Sequence, residues 1–346
     1  MSRAVVAAMT AYTLELREAE VKLNQNESPF DLPRAMKEEV LARVTERPWN
    51  IYPDFESMGL RGALAEAYDL TAENVLVGNG SNELLAAAIG AFVGPGTPVI
   101  FPKPTFALYE KLVTIAGGLP LPIAFDPATG LLPLDAMLDT VARYENAVVI
   151  VCSPNNPTGG VLPEDGLQHL LDSGATVLFD RAYGDFANDA LPPLHDRLVT
   201  FSTFSKAWGL AALRVGWLSS TAANCREIRK VKLPYSLNVI SEAIAEAALA
   251  NRKLRDRTVV FTIGERIRLF SALQALDGVT PFPTRANFVA FRVANAKRVF
   301  DDLHAAGILI RDITAAVPDA LRVSIGTTEQ NDRFLEALND AIHAIR

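Results

Sequence analysis

Cysteine is scarce: the 346 residues contain two, Cys152 and Cys225. Two thiols so far apart make neither a metal-ligand spacing nor a disulfide framework, and a reducing compartment is the simplest reading. Histidine is also rare. His169, His195, His304 and His343 are dispersed, and none falls in a HExxH or related pattern. Each reads as a surface or core residue, and no metal is expected. There is no basic excess, since 33 Lys and Arg face 40 Asp and Glu for a net charge of -7. The positive residues are scattered rather than bunched into a stripe, which argues against a nucleic-acid partner. Long apolar runs are missing too. The longest, 84–94, is well short of the roughly 20 residues of a membrane span. The stretch 4–9 is too short for a signal h-region, and Glu15, Arg17, Glu18 and Glu20 follow at once. A cytoplasmic protein without a membrane partner is expected.

What is present is an ordinary globular composition, 49% hydrophobic and 21% charged. The length exceeds what one core usually supports, so two lobes are expected. Short apolar runs at 75–78, 98–101, 147–152, 176–180, 198–201 and 213–218 alternate with helix-period segments such as 82–92, 105–116 and 164–172. That alternation predicts βαβ units and a mostly parallel central sheet flanked by helices, an α/β fold. After residue 218 the texture changes. Helices are predicted at 222–231 and 239–253, the second continuing through 252–256 toward Leu273. Strands at 287–292, 308–310 and 321–325 alternate with helices at 296–306 and 328–345. This predicts a small α+β domain. The expected division is an N-terminal arm with part of the small domain (1–45), a large domain (46–250) and a small C-terminal domain (251–346).

Four segments carry chemistry. In Thr200-Phe-Ser-Thr-Phe-Ser-Lys206, a lysine follows an apolar strand among small hydroxyl residues, with Arg214 eight positions on. Alone this is equally a surface lysine at a strand end. The strand Val177-Leu-Phe-Asp180 ends in a carboxylate, with Tyr183 just beyond. Ligands of open α/β sheets bind at the carboxyl ends of strands, although such an aspartate often merely caps a turn. The stretch Ser153-Pro-Asn-Asn156-Pro-Thr-Gly-Gly160 makes a rigid loop in which Asn156 can donate to an oxygen, or a plain Asn-Pro turn. In Val77-Gly-Asn-Gly80-Ser81-Asn82-Glu83, glycines between a strand and a helix let backbone approach a phosphate at the helix N-terminus. The same residues suit a capped helix without a ligand. The dinucleotide pattern is not completed, because Glu83 stands where its third glycine would fall.

Together and in this order, these segments resemble the fold-type I pyridoxal-phosphate aminotransferases over nearly the whole chain. Lys22-Leu-Asn-Gln-Asn-Glu27-Ser-Pro29, Tyr52-Pro-Asp54, Gly307-Ile-Leu-Ile-Arg311-Asp312 and Leu321-Arg322-Val-Ser-Ile-Gly326-Thr look like the histidinol-phosphate aminotransferase branch. The resemblance implies pyridoxal 5'-phosphate held as a Schiff base on Lys206, whose amine then moves the substrate proton. It implies Asp180 on the ring nitrogen, Asn156 and Tyr183 on the ring oxygen, and Phe106 stacked on the ring. Gly80, Ser81, Asn82, Thr203, Ser205 and Arg214 would surround the phosphate, and Tyr52 would reach the phosphate in the partner of a homodimer with shared sites. On the substrate side it implies Arg322 as the α-carboxylate clamp, with Asn26, Tyr12 and Arg311 nearby. Amino-acid and oxo-acid substrates follow, histidinol phosphate with 2-oxoglutarate and glutamate foremost.

Three residues depart from the family pattern. Ile51 replaces the arginine usual before Tyr-Pro-Asp, Arg181 an acidic residue, and Phe106 a frequent tyrosine. None touches the core chemistry, but they keep the substrate open. An aromatic amino-acid aminotransferase and a threonine-phosphate decarboxylase of the same branch are the alternatives. A non-catalytic cofactor-binding regulatory protein is a remoter one, opposed by the intact Lys206, Asp180 and Arg322.

Overall fold

The structure, a computed structural model, describes residues 2–11 and 17–344. The apolar runs become one seven-stranded sheet: β1 (Val75–Asn79), β2 (Pro98–Lys103), β3 (Leu119–Ala124), β4 (Val148–Cys152), β5 (Thr176–Asp180), β6 (Leu198–Thr203) and β7 (Val215–Ser219). Their spatial order is β1-β7-β6-β5-β4-β2-β3. The pairings from β3 through β6 are parallel, whereas β7 runs antiparallel to both β6 and β1.

Burial explains why β4 is apolar throughout. Its alternate residues Val148, Ile150 and Cys152 join a core with helix Ser81–Phe92, while Val149 and Val151 join another with helices Leu134–Val141 and Gly166–Asp172. A strand covered on both faces has no polar side to show. Phe201 and Trp217 are among the fully buried side chains, and burying each such group stabilises by about 1.5–3 kcal/mol.

The second unit is a four-stranded antiparallel sheet in the order Arg311–Asp312, Ala320–Ser324, Phe288–Val293, Val279–Pro281. Helices Ala296–Ala305 and Thr328–His343 contribute Val299, Leu303, Phe334 and Leu338 to its core. The N-terminal segment is tied to this unit. Val21–Lys22 pairs in parallel with Ile308–Leu309, and Val21 and Leu23 enter the same core.

Four local expectations change. Helix Val239–Ala250 does not run on toward Leu273. Asn251 leaves helical geometry, its amide donating back to the Ala247 carbonyl at 2.9 Å, and a new helix spans Lys253–Ala275. An asparagine side chain competes for backbone groups in this way. The helix expected from residue 105 begins at Leu108, because the Thr105 hydroxyl is engaged by the Asn155 side chain at 2.7 Å. The strand expected from residue 213 begins at Val215, since Arg214 takes a left-handed conformation at φ 54°. The sequence reading also has no strand at 119–124. Pro120 and Pro122 argue against one, yet β3 lies at the sheet edge, where missing N–H donors are tolerated.

Candidate active site

The parallel strands all end on one edge of the sheet, and the antiparallel β7 begins there. Gly80 after β1, Phe106 after β2, Asn156 after β4, Asp180 at the end of β5, Lys206 after β6 and Arg214 before β7 therefore converge. All but Gly80 border a cavity of about 520 Å³, which Ser81 and Asn82 line beside it. From the second unit, Arg311 and Arg322 close its other side.

Asp180 lies deepest. It is 8% exposed, and its two oxygens accept hydrogen bonds from the Tyr109 hydroxyl (2.7 Å) and the Ala182 N–H (2.9 Å). Burial pushes its carboxyl up from the usual range, while those two donors work the other way. It has no cationic partner among the described residues. A buried carboxylate without a counter-charge is costly unless a cation joins it.

Lys206 points into the cavity and donates to the Gln25 carbonyl at 2.9 Å. The residue is half-buried. Burial, aided by the positive charges of Arg322 and Arg214, brings its pKa down to about 7, against a smaller opposing pull from Glu27. A large fraction of the amine is thus neutral near physiological pH.

Tyr183 is buried, its ring 5.9 Å from the Lys206 nitrogen, and burial raises its hydroxyl further above the ordinary value. The hydroxyl accepts from the side-chain amides of Asn26 (3.0 Å) and Asn156 (3.3 Å). Arg322 donates to the Asn156 side-chain oxygen at 2.5 Å and to the Asn24 carbonyl at 3.0 Å, with its guanidinium 5.0 Å from the Phe288 ring. Asn26, Asn156, Tyr183 and Arg322 are therefore one connected network. Arg311 is the direct cross-strand partner of Arg322.

On the opposite side, Ser81 and Asn82 form the first turn of helix Ser81–Phe92, whose leading N–H groups have no partner within the helix. Arg214 donates to the Ser205 hydroxyl at 3.1 Å, and the Thr203 hydroxyl accepts from the Ser205 N–H at 3.0 Å. Gly80 sits at φ 79°, and a Cβ there would collide with the Arg214 guanidinium. The glycine leaves room for the arginine to lie across the helix start, a ready anion cradle.

Among the residues singled out from sequence, Tyr52 stands outside this cavity. It is 78% exposed and stacks on Tyr235 with ring centroids 4.6 Å apart. Tyr12 lies outside the described residues. The sequence reading missed Asn24, Tyr109, Cys152 and the Gln25 carbonyl, all of which reach the cavity. Asn24 and Gln25 lie inside the Lys22–Pro29 segment and Tyr109 just beyond Phe106, but nothing in those segments marks these residues as cavity groups. A second cavity, of about 360 Å³, lies behind Lys206 near Phe30, Trp208 and Phe261, and shares none of these groups.

The arrangement fits pyridoxal phosphate. Asp180 lacks the cation that a protonated ring nitrogen would supply, Lys206 is poised to be neutral, and the Gly80–Arg214 cradle suits a phosphate.

Known proteins agree with this geometry. Residues 18–338 match the family described as aminotransferase class I and II. The chain is 38% identical to the histidinol-phosphate aminotransferase of Chlorobium luteolum over 344 residues, which is 96% of this chain and 95% of that protein. It is 31% identical to the enzyme of the same name from Ruminiclostridium cellulolyticum, covering 97% and 96% of the two. Among solved structures, histidinol-phosphate aminotransferase from Sinorhizobium meliloti, in complex with pyridoxal-5'-phosphate, superposes with a TM-score of 0.88 at 25% identity over 99% and 98% of the two chains. The fold is thus that of fold-type I aminotransferases, a mostly parallel central sheet with a separate antiparallel one. With the family matched over residues 18–338 and the cradle in place, the chain belongs to the class I and II aminotransferases.

Proposed function

We propose that the chain uses pyridoxal phosphate to move an amino group between histidinol phosphate and 2-oxoglutarate, with glutamate as the partner amino acid. One observation carries the substrate reading: Arg311 and Arg322 stand directly opposite each other on neighbouring strands and both border the cavity. Two guanidiniums so placed on one face can address the same anion in the cavity. An α-carboxylate and a substrate phosphate are anions of the kind that two guanidiniums hold. The names of the relatives, at 31–38% identity over most of the chain, point the same way.

When bound, pyridoxal phosphate supplies an electron sink that eases loss of the substrate Cα proton. The rest is the work of the chain. Lys206 would attach the cofactor, and its amine, neutral at pH above about 7, would then take and return the proton. Asp180 would pair with the ring nitrogen and keep it protonated, while Asn156 and Tyr183, joined by a hydrogen bond, would hold the ring oxygen. Phe106 flanks the ring. The helix start at Ser81 and Asn82, with Thr203, Ser205 and Arg214, would bind the phosphate. Arg322 orients the carboxylate, which aims the Cα–H bond at Lys206.

The chain acts as a homodimer in a reducing cytoplasm. Tyr52 belongs to an exposed apolar patch with Trp49, Ile51, Phe55 and Leu233 that suits a second copy, and both cysteines are free and buried.

The test is a side-by-side comparison of kcat/KM for histidinol phosphate, phenylalanine and leucine in the wild type and in Arg311→Gln. Histidinol phosphate should lead in the wild type. The variant should lose about 10–100-fold on it and little on phenylalanine, the worth of one charged hydrogen-bond partner. If histidinol phosphate ranks last of the three, this substrate is wrong.

A further inference from the structure

Tyr109 is a fully buried polar side chain at the heart of the site. It sits one helical turn after Phe106, the two rings meeting edge to face at 5.6 Å. Its hydroxyl donates to one oxygen of Asp180 at 2.7 Å. The other Asp180 oxygen is held by the Ala182 N–H. A carboxylate has about four acceptor positions, so each oxygen keeps one free. The cavity lies on the open side, because Asp180, Tyr109 and Phe106 all border it. Asp180 and Cys152 are register partners on β5 and β4, so the thiol packs beside the same carboxylate. Among the described residues, Tyr109 is thus the only side chain that donates a hydrogen bond to Asp180.

We propose that Tyr109 is a positioning residue for Asp180: its hydroxyl fixes the rotation of the carboxylate and draws off part of its charge, which sets how strongly Asp180 holds the cofactor's ring proton. The inference rests on the assignment of pyridoxal phosphate to this cavity. The hydroxyl stays protonated because burial and the neighbouring carboxylate both oppose its ionisation. The same segment therefore places a ring against one face of the cofactor and sets the acid at its nitrogen. Without the hydroxyl, Asp180 keeps only the Ala182 donor, turns more freely and becomes a stronger base. The ring proton then moves toward the carboxylate and the ring carries less positive charge. Less positive charge nearby favours protonation of the nitrogen joined to Lys206, so the pH midpoint of the cofactor's visible band rises.

The experiment titrates that band in the holoenzymes of wild type, Tyr109→Phe, Asp180→Asn and the double variant. Kd for pyridoxal phosphate is measured by fluorescence, and kcat alongside. The Tyr109→Phe midpoint should rise by about half a unit or more, a shift typical of one lost neighbour. Its kcat should fall roughly tenfold with KM nearly unchanged. In the Asp180→Asn background the same change should move neither quantity, since the group it acts through is gone. An unchanged midpoint in Tyr109→Phe overturns the proposal, as does an equal loss on both backgrounds, which marks a merely structural tyrosine. If Tyr109→Phe does not fold, Tyr109→His, which keeps a ring donor, should restore the wild-type midpoint more nearly than Tyr109→Leu. The opposite order overturns it. A wild type that develops no visible band with pyridoxal phosphate sinks the cofactor assignment and this inference together, whereas a normal wild-type titration with an unmoved variant sinks only this inference.

Discussion

Replacing Lys206 with methionine should stabilise the cofactor-free protein, and by an amount that depends on pH. The lysine's pKa is near 7 in the folded chain against an ordinary 10.5. The unfolded chain therefore binds more protons than the folded one between those two values. Stability of the wild type rises with pH across that window, and below about pH 7 the full penalty of a buried ammonium is present. A shift of this size corresponds to at most about 5 kcal/mol. The side chain still borders an open cavity, and solvent screening reduces a realistic figure to about 2 kcal/mol. Methionine keeps the length and removes the charge. For a chain of this size the gain converts to a rise in Tm of about 3 °C at pH 6, shrinking toward zero near pH 10. The assay is thermal unfolding of both proteins from pH 6 to 10 after the cofactor has been removed, because a ligand bound to the wild type would mask the difference. A Tm difference that stays level across the range, or a methionine variant less stable at pH 6, would refute the reasoning.

Two further outcomes follow from the same site. Gly80→Ala places a methyl group against the Arg214 guanidinium at a positive φ, so affinity for pyridoxal phosphate should drop at least about tenfold while stability falls by only about 1–2 kcal/mol; equal affinity by fluorescence titration would remove Arg214 from the cradle. Arg322→Lys keeps the charge and loses the planar fork, so KM should rise about 10–100-fold for both the amino donor and 2-oxoglutarate with the visible band intact. Unchanged KM values would mean the carboxylate is held elsewhere.

How much of this was readable in advance follows from the range of the interactions. The buried strands β4, β5 and β6 announce themselves because a strand covered on both faces must be apolar throughout, and their last residues mark the ligand edge. The positions of Asp180 at the end of β5, and of Asn156 and Lys206 in the loops after β4 and β6, are legible for that reason. The Tyr109–Asp180 contact spans 71 positions and depends on how a helix lies over the sheet, which no local pattern encodes. The Gln25 carbonyl is harder still, because a backbone oxygen carries no residue identity, and it reaches Lys206 across 181 positions. The break at Asn251 and the proline-bearing β3 were misjudged for the opposite reason. There local propensity was legible, but position in the fold, a helix end in one case and a sheet edge in the other, decided what it meant.

The reversed direction of β7 has a consequence for how the chain assembles. Because β6 and β7 form a tight antiparallel pair, the loop between them carries both Lys206 and Arg214, and the Ser205–Arg214 contact closes over only 9 positions. The Arg322–Asn156 contact closes over 166. Loop-closure entropy alone separates the two by about 2–3 kcal/mol. The loop that bears Lys206 and Arg214 is thus closed by local folding, while the Arg322–Asn156 contact waits for the last strands of the chain. A chain still emerging from synthesis has Ser205 and Arg214 in reach of each other well before Arg322 can meet Asn156.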